Sequence, residues 1–205
     1  MKEVYFSEYI DEENIVMDPP IYNANEDTLH RYSLTLSFRD RKGGGHAIVI
    51  LKNPSKAGKE DNTGRRLSDD TIYKVSDYLY KKKSYQKITI LNLFTIVSGM
   101  TGNIRELIGT SDEQIHRNKN NNVLLQLLDE DVFNEEKDRI FAAWGDYSKL
   151  LESQYKKRIR EVLGLIGDKP LYRVGSMVNG TKYPGHGKYW YDYEEVLPYP
   201  QDAVR

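Results

Sequence analysis

The chain contains no cysteine, which excludes a disulfide framework, a thiolate metal site and a cysteine nucleophile and fits a reducing compartment. Long apolar runs are missing too. Ala47 to Leu51 and Ile88 to Leu91 fall far short of the roughly 20 residues that cross a bilayer, so no membrane association is expected. Met1 to Tyr9 carries charges where a secretory signal has its apolar stretch, and a cytoplasmic location is expected. There is no excess of one charge: Lys+Arg at 30 against Asp+Glu at 31 leaves −1. Bulk electrostatics therefore does not mark a nucleic-acid binder, and any phosphate contact has to come from a local patch. His30, His46, His116 and His186 are widely separated, none at ligand spacing with another, so no metal and no other cofactor is expected. Gly43 to Gly45 lacks the lysine and following helix of a phosphate-cradling loop, and no serine stands in a nucleophile elbow.

What is present reads as one domain over 1–205, since 205 residues with 39% hydrophobic content can bury a single core. Residues 1–30 are acidic and contain Pro19-Pro20, and predict an irregular N-terminal arm; the core is expected over 31–190. Arg31 to Arg39 alternates Tyr32, Leu34, Leu36 and Phe38 with polar residues, the period of a strand with one wet face. The glycine-rich turn after it predicts a hairpin with His46 to Leu51. Ala47 to Leu51, Ile88 to Leu91, Ile140 to Ala143 and, more weakly, Leu171 to Val174 are apolar on both faces, as strands covered by helices on both sides must be. Helical stretches lie between them at about Asp70 to Lys82, Asp112 to Leu128 and Ser148 to Ile166. Ser68 or Asp69 caps the first and Ser111 the second, with Gln114 closing a capping box; Gly167 ends the third. The alternation predicts an α/β three-layer sandwich with a central, mainly parallel four-stranded sheet plus an N-terminal antiparallel edge strand.

Ligands of such sheets bind beyond the carboxyl ends of the strands, which selects four segments. Asn53-Pro54-Ser55 follows the most apolar strand; asparagine before proline is equally a turn former. Asn92 ends the next strand, where its amide can read a base edge or cap backbone groups, and Phe94 follows. Ala143-Trp144-Gly145 ends the third strand with an aromatic that either stacks on a ligand or packs the core. His186, flanked by glycines, is a catalytic or phosphate-facing donor or an idle loop residue. Basic residues cluster after the first core strand at Lys52, Lys56, Lys59, Arg65 and Arg66, the last four being the candidate phosphate contacts, and again at Lys81 to Lys83, which reads as a solvated face. The 16 tyrosines can stack on bases or cover a core edge.

At these segments the chain resembles a bacterial and phage family catalogued as domain of unknown function 1643. The residues that carry the likeness are Asn53-Pro54-Ser55 with Ala57, Asp70-Thr71, Asn92-Leu93-Phe94, the run Asn118 to Asn122, Ala143-Trp144-Gly145, and Gly180, Pro184 and His186. The resemblance covers about Arg31 to Tyr189. Gly187 departs from it, since the family tends to place proline after its histidine, and a looser last turn is expected. More distantly, Ile90 to Val97 is similar to the uracil-DNA glycosylase strand that ends in a base-reading asparagine. Ile140 to Tyr147 is similar to that superfamily's Leu-Trp-Gly strand, and Asn53-Pro54 resembles its mismatch-specific branch. That resemblance implies a uracil-DNA glycosylase-like fold in which Asn53 positions water, Asn92 reads the base and His186 replaces the histidine of a late His-Pro loop. The tyrosine-histidine pair of the uracil-specific enzymes is absent after Asn53, and Pro-Gly-His-Gly stands where they carry His-Pro-Ser.

The function this resemblance implies is that of a nucleic-acid or nucleotide-directed protein, including a base-excising N-glycosidase. The alternatives are a non-catalytic base-binding or protein-interaction module and an enzyme of free nucleotides or nucleosides. Pro54, Ser55, Phe94, Trp144 and Gly145 complete the expected ligand contacts.

Overall fold

The computed structural model describes residues 3–20, 30–82, 85–180, 182–191 and 194–204. Residues 21–29 of the N-terminal arm, Lys83 of the second basic cluster and Thr181 of the late loop lie outside them.

Strands β1 (Val16–Asp18), β2 (Ser33–Ser37), β3 (Gly45–Leu51), β4 (Tyr85–Asn92), β5 (Arg139–Ala142), β6 (Leu171–Val174) and β9 (Val196–Pro198) form a 7-stranded sheet in the order β1-β2-β4-β3-β5-β6-β9. β7 (Met177–Val178) and β8 (Tyr183–Pro184) make a separate two-stranded ribbon. Helices α1 (Asp70–Lys82), α2 (Ser111–Leu127) and α3 (Glu152–Ile166) alternate with the central strands. β4, β3, β5 and β6 run parallel, and β3 lies between β4 and β5. The connections reverse direction between β3 and β5, so the switch point of the sheet lies at their carboxyl ends.

Side-chain alternation on the buried strands makes two cores. Ile48, Ile50, Ile140 and Ala142 face α2 and α3, in one cluster with Leu124, Tyr155, Ile159 and Val162. Ala47, Val49, Leu51, Phe141 and Ala143 face α1, packing with Ile72, Val75, Tyr78 and Leu79. Those α1 residues recur at helical spacing on one stripe, and the helix begins where Asp69 accepts the backbone N–H of Thr71 and Ile72 at 2.7 and 2.8 Å. The cap of α2 is Thr110 rather than Ser111: Thr110 accepts from the Glu113 N–H, while Glu113 accepts from the N–H of Gly109, the residue before the cap. Gly167, at φ 63°, ends α3.

The sheet departs from expectation in three places. It is mixed and wider than four strands with one edge strand, because β1, β2 and β9 add antiparallel neighbours. β1 and β9 have 3 residues each, too short for a period-2 pattern to show. β2 is not at the edge, since β1 lies outside it. β2 also does not pair with β3: β4 lies between them, antiparallel to β2 and parallel to β3. Both edges of β3 are taken by parallel partners, and the free edge of β4 accepts β2. Within the segment read as an irregular arm, β1 and the buried Phe6, Ile10 and Ile15 join the fold. Among the described residues no helix is long and apolar enough to cross a membrane.

Candidate functional site

At the carboxyl ends of β3 and β4 a cleft of about 790 Å³ is lined by Arg31, Asn53, Pro54, Ser55, Asn92 and His186, among others. A volume in the hundreds of Å³ suits a small ligand. The N-terminal end of α1 (Asp70, Thr71, Ile72), Asp69, Ser98 and Lys188 complete its walls, with Glu3 on the rim.

The loops after β3 and β4 are latched to each other. Asn53 donates its Nδ2 to the carbonyl of Ser98 at 2.9 Å and, more weakly, to that of Pro54 at 3.3 Å, while the Ser98 N–H donates to Pro54. The amide of Asn53 thus holds the two loops in register. Ser55 donates its hydroxyl to Asp69, so the loop after β3 is also tied to the cap of α1.

Asn92 behaves oppositely. It is 1% exposed and lines the cleft, yet neither its Oδ1 nor its Nδ2 has a hydrogen-bond partner. A strand cap satisfies backbone groups, and an amide with both ends unpaired in a buried position carries a desolvation cost that only a ligand or water in the cleft can offset. The backbone at Asn92 is firmly placed. Its carbonyl accepts from Asn120 of α2 at 3.1 Å, and the next carbonyl, Leu93, accepts from the Nε of the buried Arg158 on α3. Arg158 is held by Asn121 at 2.7 Å and by Glu161 at 3.1 Å. The asparagine-rich stretch of α2 therefore supports the cleft from behind, and it explains why Asn120 is buried on the inward face of this helix beside Leu124.

His186 stands across the cleft. Its Nδ1 accepts the Lys188 N–H at 3.2 Å, which leaves the proton of the neutral ring on Nε2. Burial, with the positive charges of Lys52 and Lys188 outweighing Asp146, pushes it down to about 4, so it is a neutral donor at pH 7. Gly145, at φ 68°, is its platform: a Cβ there would lie 3.1 Å from the His186 Cβ. Lys52 is 7% exposed, its ammonium 5.6 Å from the ring centroid of Tyr155; burial lowers its proton affinity, Asp146 opposing and Lys188 reinforcing the effect. The last turn is not loose. Gly187 is buried, its N–H donates to the Ala143 carbonyl at 3.0 Å, and a Cβ would meet Val75 at 2.8 Å and Leu51 at 2.9 Å. A proline here could neither donate nor fit, which is why glycine follows the histidine.

Phe94 and Trp144 do not reach the cleft. They are 1% and 0% exposed, in the core with α3, and Trp144 packs edge-on against Tyr199. The basic patch is only partly available. Arg65 lies 3.6 Å from Glu12 and over the ring of Tyr5, and Arg66 donates to the Ile15 carbonyl: both anchor the N-terminal segment. Lys56 and Lys59 line a smaller neighbouring pocket with Asp61 and Asp69. Lys81 pairs with Asp77 at 2.8 Å.

Sequence reasoning missed Arg31. Its place on the polar side of an alternating strand reads as a wet position, but it is 1% exposed and in the cleft wall. Its guanidinium donates to the Ala57 carbonyl, and burial lowers it to about 10, opposed by the more distant charge of Asp69. Outside the cleft, His30, Asp112 and His116 bring donor atoms within 4.8 Å of one another. Asp112 and His116 are one helical turn apart on α2, a spacing that could have been seen. The remaining ring nitrogens bond Thr95 at 2.7 Å and Tyr32 at 2.8 Å. The imidazoles are parallel, 3.7 Å apart, so their in-plane lone pairs run side by side and do not converge on one point. As built, the cluster ties α2 to the entrance of β2.

No curated protein and no solved structure matches the chain. The model of a protein family described as "Protein of unknown function (DUF1643)" matches residues 31–186, from the buried arginine to the histidine of the cleft, and the chain belongs to that family.

Proposed function

We propose that the cleft binds a nucleotide unit, free or within a nucleic acid, and reads its base with Asn92. The observation that carries this reading is the buried amide of Asn92, with donor and acceptor both unpaired in the wall of a cleft of ligand size. A base edge presents the complementary acceptor and donor side by side. His186 adds a neutral Nε2–H, suited to a carbonyl oxygen that gains charge if the base departs. The resemblance to uracil-DNA glycosylases extends the proposal to N-glycosidic cleavage. There, water attacks the anomeric carbon, the carbon–nitrogen bond breaks, and its electron pair leaves with the base. An amide cannot accept the water's proton; Asp70, exposed at the cleft wall beside the start of α1, is a carboxylate able to do so.

One observation favours a second reading, binding without cleavage: the Nδ2 of Asn53 is committed to loop carbonyls, so this residue contributes as scaffold. Oligonucleotides carrying uracil, hypoxanthine and modified cytosines, incubated with the protein and treated with alkali, separate the two. Strand scission that disappears in Asn92→Ala and Asp70→Asn supports the glycosidase. Asn92-dependent retention without scission supports the binding module, and neither result in any oligonucleotide or free nucleotide refutes base reading.

A further inference from the structure

Arg31 is a buried cation that has no counter-ion among the described residues. Guanidinium groups removed from water are ordinarily matched by carboxylates and have their donors used. Among the described residues Arg31 makes no ion pair; it donates to the carbonyl of Ala57, and its Nε has no acceptor. Asp69, whose charge acts on it from longer range, is already occupied: one oxygen caps α1 and the other accepts from Ser55. The remaining acidic groups of the cleft, Glu3 and Asp70, are exposed and keep their hydration. The backbone around Arg31 is not free to withdraw it, because its N–H is bonded to the Thr95 carbonyl at 2.9 Å. An arginine fixed in this way, with a donor unused in the wall of a cleft, is arranged to receive an anion from outside the chain.

We propose that Arg31 is the anion subsite of the cleft, and that it takes the phosphate of the nucleotide whose base meets Asn92. The base half of this statement rests on the function proposed above; the phosphate half rests on Arg31 alone. The surroundings of the cleft suit a phosphate. The guanidinium fork matches phosphate oxygens. Lys188 stands at the wall as a second, solvated cation. A depth that leaves Arg31 1% exposed favours a terminal phosphate monoester over the internal diester of a strand, whose two ester links would have to enter together.

The test is equilibrium binding to the full chain of the four common ribonucleosides, their 5′-monophosphates, inorganic phosphate, and an oligonucleotide that ends in a 5′-hydroxyl. For the base that Asn92 reads, the monophosphate is expected to bind at least about tenfold tighter than the nucleoside, a margin typical of a charge-assisted bidentate contact. Arg31→Gln is expected to erase that margin and leave nucleoside affinity unchanged. Its melting temperature without ligand should stay level or rise, because the substitution removes a buried charge that has no partner. If the wild type binds nucleoside and monophosphate equally, the anion subsite is overturned and base reading stands. If phosphate and all monophosphates bind alike through Arg31, the subsite stands and base reading falls. An Arg31-dependent gain seen only with the oligonucleotide overturns the monoester and assigns the subsite to a strand. Binding of none of the probes overturns the proposal, and the wild-type comparison decides even if Arg31→Gln does not fold.

Discussion

Two residues in the cleft wall, Asn92 and His186, carry opposite electrostatic signatures. Asn92 is an unpaired dipole, so truncating it removes a cost from the free protein and a contact from the complex. Asn92→Ala is expected to weaken ligand binding by about 1 to 3 kcal/mol with little loss of stability; thermal melting beside a ligand titration checks it, and a large drop in melting temperature with unaltered affinity would remove Asn92 from the site. His186 is held neutral, its proton affinity pushed from the ordinary 6.5 to about 4 chiefly by burial. His46, buried against Thr89, is pushed down to about 4 in the same way. The unfolded chain therefore takes up protons before the folded one as pH falls below 6.5. Stability contributed by these groups is fully present above that value and is lost on the way down to about 4. Urea unfolding across this window should show the decline, with a shallower slope in His186→Gln. Affinity for a nucleoside, which carries no phosphate to titrate, should stay flat between about pH 6 and 8, since a group with so low a pKa does not titrate there; a step near 6.5 would mean that His186 is protonated in the site.

Among the elements, the turn at Gly187–Tyr189 is joined to α1 through Gly187, and it carries His186 into the cleft. Gly187→Ala puts a methyl where Val75 and Leu51 already stand. It is expected to cost about 1 to 3 kcal/mol, as overpacking does, and to weaken ligand binding by displacing His186. Denaturant unfolding and titration of the same variant test both, and unchanged stability would show that the turn can yield. α2 supports the cleft from the other face. Asn120→Ala leaves the buried carbonyl of Asn92 without its side-chain donor and is expected to lower stability by about 1 to 3 kcal/mol, with a smaller effect on affinity than Asn92→Ala. The reverse order would make Asn120 the reading residue. These supports show why α2 was legible as a helix but not as part of the site. Its length and cap are local properties, whereas the carbonyl that Asn120 holds belongs to a strand 28 residues earlier.

At the scale of the whole molecule, a net charge of −1 combines with a basic patch half consumed by the N-terminal segment. Arg65 and Arg66 fasten that segment to the domain, so few exposed cations remain beside the cleft. If a strand is bound, log affinity should fall with log salt at a slope of only about −1 to −2, as one or two neutralised phosphates require. A filter-binding series over salt concentration measures it, and a slope several times steeper would place the nucleic acid on a surface other than this cleft.

The sequence by itself determined what depends on neighbours along the chain. α1 begins after its Asp69 cap and ends at Lys82, the three most apolar strands lie parallel in the centre, and Asn53, Asn92 and His186 meet at their carboxyl ends. The first two follow from side-chain period, capping groups and the geometry of parallel connections, and the third from that geometry together with the family resemblance. Only the tertiary structure decided which edges pair and which polar groups find partners. β2 joined β4 because β3 had no free edge. Trp144 and Phe94 went to the core because α3 covers their face of the sheet. Arg31, on the polar side of an alternating strand, became buried because the loops after β3 and β4 close over it. Period reports which face a residue occupies, but the fate of that face is set by segments distant in the chain, and with it whether a buried charge or amide is left for a ligand.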